Sequence, residues 1–290
     1  MKTSANVLSN IKLENKFIFF IKNIIMWCIA LTLLMPLFWM LSASFKRDNI
    51  EVFSFPIKWI PENPTLDSYY FLFKPNPVVN ISQSFMNSIL VVLIISVASF
   101  FTCVFAAYAF SRMEFVGRDV IFIFVIISMA VPPELLIVPH FVTYSMMGVV
   151  DTLAVLCIGP IFANAFGTFL IRQTFLGIPK SIIESAKMDG ASHLTTLFRI
   201  IVPLAKETII TFLLLQFTWV WNNYMGPLLW IKSSDKYTIP LAIKILQELS
   251  DAGTPVIMAG SVLSIVPIIL IFITFQKYFE KSVISAGVKG

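Results

Sequence analysis

Few side chains in this sequence could carry chemistry. His140 and His193 are the two histidines, and each stands isolated, with no nucleophile and base gathered around it. Cys28, Cys103 and Cys157 all fall inside apolar stretches, and no CxxC or Cys/His spacing appears, so neither a disulfide framework nor a zinc site is expected. No GxxxxGK[ST] cradle and no GxGxxG turn is present, so no phosphate-binding loop of either kind is expected in this chain. What remains is one carboxylate, Glu134, and a set of amides within apolar segments: Asn87, Asn164, Gln216, Asn222 and Asn223. Glu134 follows Pro132-Pro133, and a carboxylate at a bilayer centre costs about 2.5–3.5 kcal/mol. A kinked, partly unwound helix end would let it reach water or a pore, as an interfacial carboxylate or a functional one.

The elements that must position these groups are membrane helices. The 290 residues are 58% hydrophobic and 13% charged, include 28 Phe, and have a mean hydropathy of +0.86. Soluble domains carry about 25% charged residues, so a polytopic, all-α membrane protein is expected. The formal charge of +5 is scattered between apolar spans rather than gathered on a patch, which excludes a nucleic-acid surface. Six runs could cross: Asn23 to Phe45, Pro75 to Ser111, Val120 to Val138, Thr152 to Ile171, Thr208 to Ile231 and Ala252 to Gln276. The first is too long for a signal-peptide core of about 7–15 residues and reads as a retained helix. With six spans and a cytoplasmic N-terminus, basic residues concentrate inside, including Lys2, Lys12, Lys16, Arg112, Arg172 and Lys187; splitting the second run would invert that bias. The outer segment Lys46 to Lys74 has balanced charge and carries Pro56, Pro61 and Pro64, which predicts an ordered, extended loop. No internal repeat or low-complexity tract is evident.

Between the fourth and fifth spans lies "IPKSIIESAKMDGASHLTTLFRIIVPL". Pro179 suits a helix start, Ile178, Ile182, Ile183 and Ala186 recur at helical spacing, and Gly190 stands where a left-handed cap would end the helix. Ser192 can cap a second helix whose Leu194, Leu197, Phe198 and Ile201 form an apolar stripe up to Pro203. A hairpin lying on lipid would need a strongly basic polar face. Here Glu184, Lys187, Asp189 and Arg199 mix signs, so a protein partner fits better.

This stretch resembles the EAA loop of the permease subunits of ABC importers. Glu184, Ala186, Asp189, Gly190, Ile201 and Pro203 supply its pattern; Ser185 stands where Ala is usual, and Val202 where Leu is usual. "WIPENPTLDSYYFLF", "FMNSILVVL", "FLIRQTFLGIP", "WNNYMGPLLW" and "AGVKG" are similar to the carbohydrate branch, in particular the smaller, maltose-type six-span permease. The resemblance implies the type I ABC importer fold with both termini cytoplasmic, in a bacterial inner membrane. It divides the chain into 1–79 (N-terminus, first helix and external loop), a transmembrane core 80–276 containing a coupling loop 172–207, and a tail 277–290.

It further implies a non-catalytic subunit that works with a second homologous permease, a cytoplasmic ATPase dimer and an external solute-binding protein. ATP and Mg would be bound by the ATPase and no cofactor by this chain. Glu184, Ser185, Ala186, Lys187, Asp189, Gly190, Ala191 and Pro203 would form the ATPase-coupling element, with Ala186 and Gly190 allowing close approach. Asn164, Gln216, Asn222 and Asn223 would line a path for a neutral, hydroxyl-rich solute, or, for Asn222 and Asn223, bond between helices. Trp219, Trp221 and Trp230 would stack on sugar faces or anchor at the interface. The competing expectation is a secondary transporter driven by an ion gradient, a class usually richer in membrane carboxylates and inverted repeats.

Overall fold

The computed structural model describes residues 2–74, 78–162, 164–248 and 253–287. All regular structure among them is helical. Two compact units divide the chain: Met1–Leu72 with Ser250–Val262, and Phe73–Leu249 with Leu263–Gly290.

In the first unit, α1 (Lys2–Ser44) contains the apolar segment Ile18–Ser44, 27 residues long. The segment that follows is ordered, as predicted, but not simply extended, since it forms α2 (Asn49–Val52) and α3 (Asp67–Phe73). Asp48 caps α2 by accepting the N–H of Glu51 (2.9 Å), and Glu51 in turn accepts the N–H groups of Arg47 and Glu62 (both 3.1 Å). The Thr65 N–H donates to the carbonyl of Phe45 (2.9 Å), and Asn49 accepts the N–H of Thr254 (2.6 Å). Local capping, rather than proline stiffness alone, orders this loop.

The second unit is organised around α4 (Ile81–Arg112), against which α7 (Ala154–Phe162), α8 (Ala165–Leu176), α12 (Lys206–Trp221) and α14 (Ile239–Glu248) pack. α4 starts at the Asn80 cap, which accepts the N–H of Gln83 (3.0 Å), while residues 75–77 of the expected span lie outside the described residues. Two further expected spans are broken. α5 (Arg118–Ser128) and the segment Pro133–Met146, which holds a 3-10 turn and α6 (Ile137–Met146), meet at 97°. Pro132-Pro133 supplies no N–H to continue the ladder, which accounts for the break. The run expected at 208–231 is likewise divided into α12 and α13 (Met225–Trp230). At this second break Asn222 donates to Thr218 O (3.0 Å) and Asn223 accepts the N–H of Gly226 (3.1 Å), so these amides serve their own backbone. Among the described residues, helices long and apolar enough to cross a membrane number four, or up to six if the bent pairs Arg118–Ser128 with Pro133–Met146 and His193–Leu204 with Lys206–Trp221 are each one span; the last is Thr254–Tyr278 within α15 (Thr254–Gly287). Residues 288–290 of the C-terminal "AGVKG" lie outside the described residues.

Two buried clusters hold this unit. One joins Val104, Ala107 and Tyr108 of α4 to Ile171 and Phe175 of α8 and to Ile209 and Phe212 of α12. The other joins Val91 and Ile95 of α4 to Val155 and Leu156 of α7, with Tyr144, Ile231 and Leu241. Gly167 allows α8 to approach both α4 and α12 closely. A Cβ there would overlap the Phe212 ring and come within 2.9 Å of the Cys103 sulfur.

Asp151 ties the segment before α7 to the one after α13. Its own N–H donates to Trp230 O (2.8 Å), and its carboxylate accepts the N–H groups of Lys232 (2.8 Å) and Ser233 (2.9 Å) and the Ser233 hydroxyl. Lys236 Nζ lies 3.4 Å away. Asp151 adopts φ 59°, a left-handed conformation that Asp tolerates better than most residues. The Ser233 hydroxyl and the two amides hold its carboxyl well below the usual carboxylate range.

Two outcomes follow from this packing. Gly167→Val should lower thermal stability by about 1–3 kcal/mol through overpacking, read as a lower unfolding temperature of the purified complex. Because the folded-state pKa of Asp151 is depressed, its contribution is fully present above the unfolded value of about 3.9 and is lost as pH falls through the folded value. The stability difference between wild type and Asp151→Asn should therefore be flat from pH 8 to about pH 5 and shrink on further acidification, as thermal unfolding across pH would measure.

Candidate functional site

The loop between α8 and α12 is a rigid two-helix projection. α9 (Lys180–Met188) follows Pro179 and ends in a paired cap in which Ala191 N–H donates to Ala186 O (2.9 Å) and Gly190 N–H to Lys187 O (3.0 Å). Gly190 takes φ 80°, the left-handed value this motif requires. Ser192 then caps α10 (His193–Thr196), its hydroxyl accepting the N–H of Thr195 (3.2 Å). A π-helical turn, Leu197–Ile201, precedes α11 (Val202–Leu204). Pro203 lacks an N–H and would crowd the carbonyl of Arg199, and the chain widens so that Val202 N–H reaches back to Leu197 O. The helix axis turns by 80° before α12.

The inner face of this projection is anchored to the bundle. Ile178, Ile183, Leu197 and Ile201 are buried in the cluster formed with α4, α8 and α12. The Arg112 guanidinium, at the end of α4, donates to the carbonyls of Phe175 and Ile178 (2.6 Å to the latter), satisfying acceptors at the end of α8. Arg172 donates to Phe110 O (3.1 Å) and lies over the Phe122 ring (3.9 Å). His193, expected to be isolated, shares a hydrogen bond with the Tyr108 hydroxyl (3.0 Å).

Glu184, Ser185, Lys187, Asp189 and Gly190 are exposed on the outer face, with Ala191 half-buried and Pro203 exposed. Ala186 is buried, so it packs inward and does not present itself for close approach by a partner. The periodic reading also missed two apolar residues on the outside. Met188 is 88% exposed, and Leu194, expected in the buried stripe, is 61% exposed. Met188 follows the buried face by one position too many to join it, a signal present in the sequence. Leu194 lies in the first turn of the second helix, whose buried side is formed further on by Thr196, Leu197 and Ile201.

The intramembrane amides divide into two groups. Asn164 and Gln216, 52 positions apart, meet: Asn164 Nδ2 donates to Gln216 Oε1 (2.5 Å), and Gln216 Nε2 to the Ser99 hydroxyl (3.4 Å). Gln216 is buried, and Asn164 also caps α8 through the N–H of Gly167 (2.8 Å). Ser99 and Thr102 donate to the carbonyls of Pro160 (3.2 Å) and Ile161 (2.9 Å), so the whole group secures the break between α7 and α8. Asn87, another of the amides within the apolar segments, is buried and donates to Asp235 O (2.8 Å) and Tyr237 O (3.0 Å). Trp221 is likewise a core residue, stacked on Phe217 with its Nε1–H bonded to Ser264 O (2.9 Å), and is not free to stack on solute. Trp219 is exposed and meets Phe166 edge-on.

Asn222 and Asn223 are exposed. Asn223 lines a cavity of about 550 Å³ together with Glu134, His140, Tyr144, Gly226 and Trp230. Nothing in the spacing along the chain places His140 with Glu134 and Trp230. The bend at Pro132-Pro133 and the break at Asn222–Tyr224 bring them together. Among the described residues no group of His, Cys, Asp and Glu is arranged to hold a metal ion.

This architecture agrees with the comparisons to known proteins. Over 263 residues the chain is 30% identical to the arabinooligosaccharides transport system permease protein AraQ of Bacillus subtilis (strain 168), covering 90% of this chain and 92% of that protein. It is 28% identical over 288 residues to the galactooligosaccharides transport system permease protein GanQ of the same organism, covering 98% and 100%. A crystal structure of a bacterial ABC transporter involved in the import of the acidic polysaccharide alginate contains a chain of like fold (TM-score 0.78, 26% identity, 92% of this chain and 98% of that one). Residues 99–285 match the family described as binding-protein-dependent transport system inner membrane component. With that match over most of its length, and its helical bundle shared with a solved importer, the chain belongs to this family of non-catalytic, multi-pass inner-membrane permeases.

Proposed function

We propose that the chain is a permease subunit of an ATP-driven importer of oligosaccharides. It forms the pathway with a second, homologous permease, receives solute from an external binding protein, and is driven by a cytoplasmic ATPase dimer that binds ATP and Mg. The similarity to permeases named for arabino- and galactooligosaccharides supports the solute class. In this reading both termini are cytoplasmic. Residues 1–79 carry the first helix and external loop, 80–276 the transmembrane core, and 277–290 the cytoplasmic tail.

The observation that carries the coupling role is the asymmetry of the projection within 172–207. Its inner face is buried and hydrogen-bonded to the bundle, while Glu184, Lys187, Met188, Asp189 and Leu194 are presented outward. Among the described residues the Glu184, Lys187 and Asp189 side chains make no ion pair with the rest of the chain. Such a face suits a groove on the ATPase: apolar side chains fill it, charges fix its register, and the capped turn transmits displacement that a flexible loop would absorb. Ala186 packs inward beneath this face, while Ala191 and Pro203 shape the turns before and after the second helix. Asn223 contributes to the solute pathway, Asn222 lies beside it, and Asn164 with Gln216 holds the helix break that borders it.

Gly190→Val tests this directly. A Cβ at Gly190 meets nothing within 4 Å, so the substitution acts through left-handed backbone strain of about 1–2 kcal/mol rather than through a clash. ATP-driven uptake by the reconstituted importer should fall and the sugar-to-ATP ratio with it. Met188→Glu, a surface change that leaves the fold intact, should weaken co-purification of the ATPase. Full coupled uptake with both variants would refute the coupling role.

A further inference from the structure

The cavity bordered by α6, α7 and α13 combines an aromatic wall with hydrogen-bonding groups that the chain itself leaves unused. His140 stacks on Tyr144 (centroids 5.5 Å apart, 24° between planes), and Tyr144 meets Trp230 edge-on (5.2 Å, 88°). The Trp230 Nε1–H is buried and has no hydrogen-bond partner among the described residues, although indole N–H groups usually find one when buried. Asn223 spends its oxygen on the Gly226 amide, and among the described residues no hydrogen bond uses its two N–H donors. Glu134 is exposed to the cavity, with no basic partner among the described residues.

These groups are held in place rather than adventitiously close. A Cβ on Gly226 would lie 3.1 Å from the Trp230 ring and 3.2 Å from Asn223 Nδ2, so the glycine leaves room for both side chains side by side. The Asp151 N–H fixes the Trp230 carbonyl (2.8 Å), and the Asp151 carboxylate fixes the two residues that follow Ile231. The volume, about 550 Å³, lies within the usual range of roughly 300–1,000 Å³ for small-molecule sites.

We propose that this cavity is a subsite for one uncharged sugar ring, contributed by this subunit to the translocation pathway. The proposal rests on the sugar-importer reading above. Aromatic faces receive the C–H face of a pyranose or furanose, indole and amide N–H groups donate to ring hydroxyls, and Glu134 accepts from another. Hydroxyls are both donors and acceptors, so one ring can satisfy all three. No Lys or Arg is among the lining residues, and Glu134 would oppose a uronate carboxylate. The subsite therefore selects neutral glycosyl units over their oxidised counterparts, a point on which this chain would differ from an importer of an acidic polysaccharide.

The test uses the assembled importer in proteoliposomes, with galactotriose and arabinotriose as neutral probes and trigalacturonate as the acidic one. Trp230→Phe keeps the aromatic wall and removes the donor. It should raise the transport KM for the carried neutral probe by about two- to tenfold, the loss of one neutral hydrogen bond, with the sugar-to-ATP ratio unchanged. Glu134→Gln should also raise that KM and reduce discrimination against trigalacturonate. To separate this site from the solute-binding protein, Met225→Cys, in a background with Cys28→Ser, is alkylated in the permease–ATPase complex alone. Galactotriose should slow the reaction and trigalacturonate should not. Unchanged KM in both variants together with no protection overturns the subsite, and equal protection by the two trisaccharides overturns its preference for neutral rings. A wild-type importer that carries none of the three probes overturns the sugar-importer reading, and the subsite with it.

Discussion

A backbone amide or carbonyl without a partner inside a bilayer costs several kcal/mol, and this fold is arranged around meeting that demand wherever its helices break. The junction between α7 and α8 is the clearest case. The carbonyls of Pro160 and Ile161 are taken up by Ser99 and Thr102 from the neighbouring α4, and Asn164 turns back to cap the helix that follows. The end of α8 is served in the same way by the Arg112 guanidinium. In each case the donor lies on α4, which explains why that helix, buried along one side from Ile81 to Tyr108, organises the unit. Polar residues in the spans are thus used first for backbone satisfaction, and only those left over are free for solute.

The same accounting separates the two ends of the unit functionally. At the projection after α8, every element of the turn is committed: paired caps around Gly190, a Ser192 cap, a π-helical turn before Pro203, and an inner face sunk among Ile171, Phe175 and Phe212. A turn so constrained moves as a body. What it presents outward is then a fixed pattern of two charge signs and two apolar side chains, the feature on which the proposed docking to an ATPase rests. At the cavity lined by Glu134 and Trp230 the opposite holds, since donors and an acceptor remain uncommitted beside an aromatic wall fixed by the contacts of Tyr144 with His140 and Trp230. Rigid placement combined with unspent hydrogen bonds is what a binding site requires.

Asp151 connects these themes through a loop outside the spans. A single carboxylate in left-handed backbone collects two amides and a hydroxyl from the segment after α13, and its own amide holds the carbonyl of Trp230. Those donors hold its carboxyl well below the usual carboxylate range, so at neutral pH it remains charged and the tie remains closed. The geometry of the cavity wall therefore depends on a residue that the sequence presents only as one acid in a short, mostly apolar linker.

Composition and periodicity alone determined a great deal: an all-helical membrane chain, its apolar spans, the ordered segment after the first helix, and the two capped helices around Gly190 and Ser192. These follow from local physics, because hydropathy, proline, left-handed glycine and N-cap chemistry act within a few residues. Tertiary structure alone decided which polar groups face each other. Asn164 found Gln216 across 52 positions, Asn87 found the backbone at Asp235 and Tyr237, Trp221 entered the core, and His140 joined Glu134 and Trp230. Ala186 turned inward and Leu194 outward for the same reason. Whether a buried amide or indole serves backbone, core or solute depends on which unpaired groups the packing brings within about 3 Å, a fact that no spacing along the chain encodes.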